Sequence, residues 1–279
     1  MKIAIDSYSF YMHFGRHQYR PKNPWTLQDY FDFTLKNRLD GIHMDPAHFD
    51  PVADTDILDA FCKENGLTIE LGAMEILSDD FTDYLNAAHK TGSKILRTFV
   101  GGSCNEEMSV MNRRVERSKE KLALVLSLAE KYQIKIAVEN HNDITMDQLE
   151  DLIDFDSEFI GICYDCGNFK VVSEDPLMAL NRFKDRIFCT HIKDVCAKEL
   201  YPDAKAFGVT GKEVQFCALG EGTLPLYEIL SGIEFHTRDD VRFTLEIPTP
   251  LCKSLSENLL LQLEKDNVVK SIAYMNKFH

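Results

Sequence analysis

The chain has 279 residues, 44% of them hydrophobic, and a formal net charge of −14. That length suits one α/β barrel, and the charge argues against nucleic acid or an anionic membrane as partner, because phosphate recognition needs clustered Lys and Arg. No apolar stretch approaches the ~18 residues that span a bilayer. Met1-Lys2-Ile3-Ala4-Ile5-Asp6 enters a strand pattern with no leader-like segment. The expected location is the cytoplasm, and the eight cysteines are expected as reduced thiols.

In chain order, a first strand is expected over 2–8, then a connection over 9–25 carrying Tyr11, His13, Phe14, Arg16, His17, Tyr19, Arg20 and Trp25. It is too long for a bare turn and has the length of a lid. A helix over 26–37 leads to strand two, 41–45, where His43 and Asp45 share a face by period-2 alternation. Helices over 55–65 and 79–91 stop at Gly66 and Gly92, where left-handed caps belong. Between them runs strand three, 67–72, with Glu75 just beyond it. Strand four, 94–100, puts Arg97 on the face of Ile95 and Phe99, and a charge within an apolar run needs a buried partner. Gly101-Gly102-Ser103 then reads as a turn rather than an anion cradle. A helix over 105–131 precedes strand five, 134–140.

From there the pattern repeats with a fixed period. Glu139, Asp165 and His191 lie 26 residues apart, each just past a short apolar run, and Glu246 ends a later run of the same kind. That period is about the length of one strand plus its crossover helix and turns. Strands six, seven and eight are expected over 159–165, 187–193 and 241–247, with helices over 145–153, 175–183, 223–231 and 254–275. Thr145 and Gln148 have capping-box spacing, and Asp175-Pro176 places proline in a first helical turn. The connection over 194–222, closing on Gly220-Glu221-Gly222, is again of lid length. Eight strands alternating with eight helices indicate a (β/α)8 TIM barrel, one domain over 1–279. An open doubly wound sheet would carry a Gly-rich first turn, where this chain has Asp6-Ser7-Tyr8-Ser9-Phe10.

In a parallel barrel the ends of these strands converge on the face where active sites are built. Three carboxylates and an imidazole buried there need a cation. One Glu or Asp at a strand end is more often a cap or a solvated residue, but four in register point to metal ligands: Glu139, Asp165, His191 and Glu246. Hard oxygens with one imidazole suit one divalent ion, Mn2+ first, with Mg2+, Co2+, Fe2+ and Zn2+ as other candidates. Such an ion would polarise a hydroxyketone carbonyl and stabilise an enediolate when the neighbouring C–H is deprotonated. Glu139 and Glu246 are then the catalytic acid and base. His141 and Lys193, each two residues beyond a ligand, join Arg97, Asn168, Glu75 and His43 as substrate-binding candidates; a loop histidine and a plain salt bridge are the plainer readings of the first two. Cys163 and Cys166 form a CxxC, but Cys163 shares a face with Asp165, as Cys189 does with His191 and Ala137 with Glu139. Small residues packed beneath the site explain that pattern better than a redox pair.

Val138-Glu139-Asn140-His141, Asp165-Cys166-Gly167-Asn168, His191-Ile192-Lys193-Asp194, Gly220-Glu221-Gly222 and Leu245-Glu246 resemble the xylose-isomerase-like barrel superfamily, in particular its sugar phosphate isomerase/epimerase and inosose dehydratase group. The resemblance implies a Glu-Asp-His-Glu metal site at Glu139, Asp165, His191 and Glu246, with the outer glutamates as the acid/base pair of the ketose epimerases. Ketose 3-epimerases usually have His three residues after the metal Asp and Arg six after the metal His; here those positions are Asn168 and Ala197. The related apurinic-site endonucleases need further histidines for a multi-zinc centre, which this chain does not supply. The expected activity is a metal-dependent isomerase or epimerase acting on a small hydroxyketone or sugar. The alternative is a lyase, a dehydratase or decarboxylase of a keto-sugar or keto-acid whose carboxylate Lys193, Arg97 or Arg16 would hold. A silent sugar-binding barrel is the non-enzymatic reading, and a homo-oligomer is a further expectation.

Overall fold

The computed structural model describes residues 2–16, 19–197, 200–236 and 243–278. Its strands are β1 (Ile3–Asp6), β2 (Gly41–Met44), β3 (Thr68–Glu75), β4 (Ile95–Phe99), β5 (Lys135–Glu139), β6 (Ile160–Asp165), β7 (Ile187–Ile192), β8 (Asp194–Ala197), β9 (Val214–Cys217) and β10 (Phe243–Leu245). Eight of them close a parallel barrel in the order β1-β10-β7-β6-β5-β4-β3-β2, while β8 and β9 form a separate antiparallel pair. Strands buried on both faces read as near-continuous apolar runs, which is why their positions were legible. The helices are α1 (Tyr11–Phe14), α2 (Leu27–Lys36), α3 (Thr55–Asn65), α4 (Phe81–Thr91), α5 (Met108–Tyr132), α6 (Met146–Leu152), α7 (Asn168–Val171), α8 (Pro176–Phe183), α9 (Leu226–His236) and α10 (Glu257–Met275). Among the described residues no helix is long and apolar enough to cross a membrane.

Local chemistry sets the helix ends. Capping boxes join Thr26 to Asp29 and Thr145 to Gln148, and the Asp175 side chain accepts from Leu177 and Met178 ahead of Pro176. Gly66 and Gly92 close α3 and α4 at φ +65° and +72°, a region that L-residues with a Cβ rarely occupy. Within the lumen, Ile95, Ala137, Cys163 and Cys189 pack as a small cluster. All eight cysteines are free thiols. The Cys166 thiol donates to the Lys193 carbonyl (3.2 Å), so the CxxC residues do not pair with each other.

Several boundaries differ from expectation, each for a visible reason. β1 stops at Asp6 because its Oδ1 accepts the Tyr8 N–H (2.7 Å) and turns residues 7–10 into a 3-10 helix. β3 continues through a bulge to Glu75, so Glu75 ends that strand instead of following it. The eighth barrel strand is only β10; residues 241–242 lie outside the described residues, and Glu246 sits just beyond the strand, its N–H still donating to Ile192 O (3.2 Å).

The two long connections are built structures. The first folds as the 3-10 turn and α1, held by Glu264 of α10, whose carboxylate accepts the N–H groups of Met12 (2.8 Å) and His13 (3.1 Å) and meets His13 Nδ1 at 2.5 Å. His17 lies outside the described residues, and Arg16 is exposed. The second connection holds the β8–β9 hairpin, organised around Asp194. That carboxylate accepts from Val195 (2.8 Å), Gly220 (3.0 Å), Gly222 (3.0 Å) and Leu224 (3.2 Å). A Cβ on Gly222 would lie 2.2 Å from Asp194 Oδ1 and 2.4 Å from Val195 O. Gly222→Ala should therefore cost about 1–3 kcal/mol, read as a lower urea midpoint. An unchanged midpoint would show that the turn yields freely.

Candidate metal centre

Side chains alternate along strands, and the inward parity of the barrel lands on ionisable residues at its carboxyl end. Asp6, His43, Arg97, Glu139, Asp165, His191 and Glu246 are all buried there, with Lys193 beside them. One ligand atom each from Glu139, Asp165, His191 and Glu246 lies within 4.8 Å of the others.

The three carboxylates are each anchored through at least one oxygen, whereas His191 makes no directed hydrogen bond through either ring nitrogen. Asp165 Oδ1 accepts the N–H groups of Gly167 (2.8 Å) and Asn168 (2.9 Å), and the Asn140 amide bonds the Asp165 backbone on both sides, at 2.8 and 2.9 Å. Glu139 Oε2 is held by Nε and Nη2 of Arg97, while its Oε1 accepts from Asn168 Nδ2 (2.9 Å). Glu246 Oε1 lies 3.0 Å from Lys193 Nζ. His191 directs Nδ1 to Glu246 Oε2 (2.5 Å), Glu139 Oε1 (3.5 Å) and Asp165 Oδ2 (3.9 Å). Although Lys193 Nζ is 2.7 Å from Asp165 Oδ2, both ring nitrogens of His191, Asp165 Oδ2 and Glu246 Oε2 are buried without a directed hydrogen bond. Buried polar atoms are rarely left so. Unpartnered inward atoms on hard donors fit a divalent cation.

The titration behaviour agrees. Burial pushes the Asp165 carboxyl up to about 7 against the pull of Lys193, and pushes Asp6 up to about 6 against that of His43. Burial also opposes charge on Glu139 and Glu246, but Arg97 and His191 hold Glu139 well below the usual range, and Lys193 and His191 hold Glu246 at about 2. Despite burial, His191 is held well above its ordinary value by Cys163, Glu246 and Glu139, and Lys193 by Asp165 and Glu246.

The substrate-binding candidates divide. Arg97, Lys193 and Asn168 stand against the four-ligand group, Asn168 by bonding Glu139. Arg97 also lies 4.9 Å over the Phe99 ring, and Lys193 Nζ 5.1 Å over Phe216 of the hairpin. His43 is buried edge-on to His191, ring centres 4.9 Å apart. His141 is half-buried, its ring 4.8 Å from Phe99, and among the described residues it bonds none of the four ligands. Glu75 is exposed; it packs against Gly101, whose N–H donates to Asp143 Oδ2 (2.6 Å). That stretch is a turn. Sequence reasoning passed over Asp6, Tyr8, Glu70 and Asn140. Asp6 ends β1 just as Glu139 ends β5, and that was the available signal. Tyr8 is half-buried, and burial with Asp45 and Glu246 nearby pushes its phenol up, so it stays protonated.

Residues 29–277 match the xylose isomerase-like TIM barrel family. The chain belongs to that family. Its sequence is 25% identical over 228 residues to 3-oxo-isoapionate decarboxylase of Pectobacterium atrosepticum, covering 80% of this chain and 78% of that protein. The barrel also superposes on the IOLI protein with a binding zinc atom (17% identity, TM-score 0.69, 98% and 99% of the two chains). A second structural neighbour is 3-keto-D-glucoside 4-epimerase from E. coli (14% identity, TM-score 0.67, 96% and 98%). At these identities the two structures establish the shared fold. The sequence relative is a decarboxylase and one structural neighbour an epimerase, and this member of the family carries a group of residues able to hold a metal ion.

The raised carboxyls set a pH dependence. Asp165 and Asp6 keep a proton in the folded protein where the unfolded chain, near 3.8, has lost it, so stability falls as pH rises from about 4 toward 7. His191 continues the trend above its unfolded value of 6.5, while Glu246 acts only between about 2 and 4.5. The thermal midpoint of ion-free protein should drop between about pH 5 and about pH 7.5, and saturating Mn2+ should restore it more strongly at the higher pH. A midpoint that is flat with pH and indifferent to the ion would contradict the assignment.

Proposed function

We propose that this protein is a divalent-metal-dependent lyase that decarboxylates a small hydroxylated 3-keto acid, through a carbanion next to a carbonyl. The observation that carries this reading is the burial of two cations, Arg97 and Lys193, against the four-ligand group. A substrate carboxylate entering a buried site needs such a partner, and a neutral ketose does not. The similarity to 3-oxo-isoapionate decarboxylase supports it, as do Asn168 and Ala197 in place of the ketose 3-epimerase His and Arg.

Glu139, Asp165, His191 and Glu246 would hold the ion, which when bound would polarise the substrate ketone and stabilise charge on its oxygen. Arg97 meets Glu139 through Nε and Nη2, which leaves Nη1 for the substrate carboxylate. The bond to that carboxylate breaks, CO2 departs, and its electron pair passes to the neighbouring carbon and the ketone oxygen. A proton then returns to that carbon. Lys193 is the protonated group best placed to supply it, since both glutamates are held as carboxylates. Phe99 and Phe216, stacked on the two cations, keep water from them.

A second reading, epimerisation, is favoured by one contact. Glu246, held as an ionised base beside Lys193 at 3.0 Å, could take a C–H proton, and in an epimerisation a second group must return one to the opposite face of the carbon. In that case Glu139, at the end of β5, is that second group.

The test offers ion-loaded protein a panel of hydroxylated 3-keto acids and ketoses in D2O. Mass spectra are expected to show CO2 loss from a keto acid with deuterium on the new C–H bond. Deuterium uptake with all carbons retained would favour the epimerase; neither change would overturn both readings. His191→Ala should lower ion content by elemental analysis and turnover by at least ~100-fold, the upper range for losing an outer partner. Glu139→Gln should abolish turnover with the fold intact.

A further inference from the structure

His191 presents Nδ1 to the other three ligand side chains, so its Nε2 faces away, into the barrel, with Asp6 Oδ2 the nearest carboxylate oxygen at 3.5 Å and no directed hydrogen bond formed in the ion-free site. Asp6 Oδ1 is consumed by the Tyr8 N–H (2.7 Å), which fixes the carboxylate and commits Oδ2 inward. Behind it, His43 Nε2 lies 3.8 Å from the same oxygen, and His43 Nδ1 lies 3.6 Å from Glu70 Oε2. Thr244 Oγ1 also approaches Glu70 Oε2, at 3.4 Å. All five side chains are buried. The register makes this row unavoidable: Asp6 pairs with His43 across β1–β2, His43 with Glu70 across β2–β3, and His191 with Thr244 across β7–β10.

We propose that Asp6 is a positioning residue for His191: in the ion-loaded site its carboxylate keeps the imidazole proton on Nε2 and turns the Nδ1 lone pair toward the ligand group, with His43 lying behind Asp6 at 3.8 Å. The inference rests on reading Glu139, Asp165, His191 and Glu246 as one ion site. To ligate an ion the ring must shed the second proton that it carries in the ion-free site, and the neutral imidazole then has one N–H and one lone pair. With the proton on Nδ1 the ring would aim a donor at three carboxylates and ligate nothing. A carboxylate at the other nitrogen selects the useful tautomer and makes the free nitrogen more basic.

Asp6, His43 and His191 also offer atoms within 4.8 Å of one another, so a second ion between them is the competing arrangement. It would have to share the His191 ring as a bridge and draw on a carboxylate already half used by Tyr8.

The test compares Asp6→Asn and Asp6→Ala in the full chain with the wild type, measuring Zn2+ affinity, Zn2+ stoichiometry and the His191 tautomer by long-range 1H–15N NMR. In Asp6→Asn the amide oxygen can still cap Tyr8, while the amide N–H2 replaces Oδ2 and favours the wrong tautomer. Wild type is expected to bind one Zn2+ per chain with the proton on Nε2. Asp6→Asn should bind ~10–100-fold more weakly with the proton moved toward Nδ1, and Asp6→Ala, which only removes the carboxylate, should lose less. Wild-type affinity in Asp6→Asn, or Ala weaker than Asn, would overturn the proposal while leaving the ion site standing. Two Zn2+ per chain would overturn it too, by making Asp6 a ligand. No ion bound by the wild type would overturn both it and the site.

Discussion

Burying like charges together is the constraint from which the rest of this structure follows. At the carboxyl end of the barrel the inward parity of seven strands delivers Asp6, His43, Arg97, Glu139, Asp165, His191 and Glu246 to one small volume. The four carboxylates face only Arg97 and Lys193 as permanent cations, which leaves two negative charges in a medium that tolerates none. The protein meets part of that demand by shifting protons: Asp165 and Asp6 rise, and His191 stays charged. One divalent ion would meet it entirely, and would turn an electrostatic liability into a Lewis-acid site.

The scaffold spends its hydrogen bonds accordingly. Asn140 clips β5 to β6 at Asp165, Asp165 ties itself to the first turn of α7, and Asn168 reaches back to Glu139. Asp165 and Glu246 thus each have one oxygen fixed and one without a directed hydrogen bond, and Glu139 is held through both oxygens, which is the preorganisation a site needs if it is not to collapse when the substrate enters. The same logic extends to the rim. Glu264 pins α1 through two backbone N–H groups and His13, and Asp194 gathers the turn that brings Phe216 over Lys193. Both long connections are therefore anchored, among the described residues, on buried carboxylates that would be costly to expose.

The two buried cations connect this arrangement to chemistry. Arg97 holds Glu139 so far into its ionised form that Glu139 is a poor proton donor. On the proposed reading, that moves the acid role toward Lys193 and suits a substrate that brings its own negative charge. A barrel with the same four ligands and no such cations would suit neutral sugars better. On that reading, the choice between moving a proton and losing CO2 would rest on a few side chains around the centre.

The sequence by itself determined the strand and helix alternation, the barrel, and the place of Glu139, Asp165 and His191 at strand ends. Each of these depends on local periodicity and on a repeat that survives in one dimension. Caps at Thr145 and Asp175 and stops at Gly66 and Gly92 were legible for the same reason, since a helix end is decided within a few residues. The tertiary structure alone decided which polar residues meet. Asp6 and Glu70 sit in strands far from residues 139–191 in the chain, and only barrel closure through β1–β10 and β2–β3 pairing carries them to His191 and His43. Closure likewise showed that Glu75 stays at the exposed rim, that Asn168 serves Glu139, and that Gly220-Glu221-Gly222 wraps Asp194. Register and closure are long-range properties, and no window along the chain contains them.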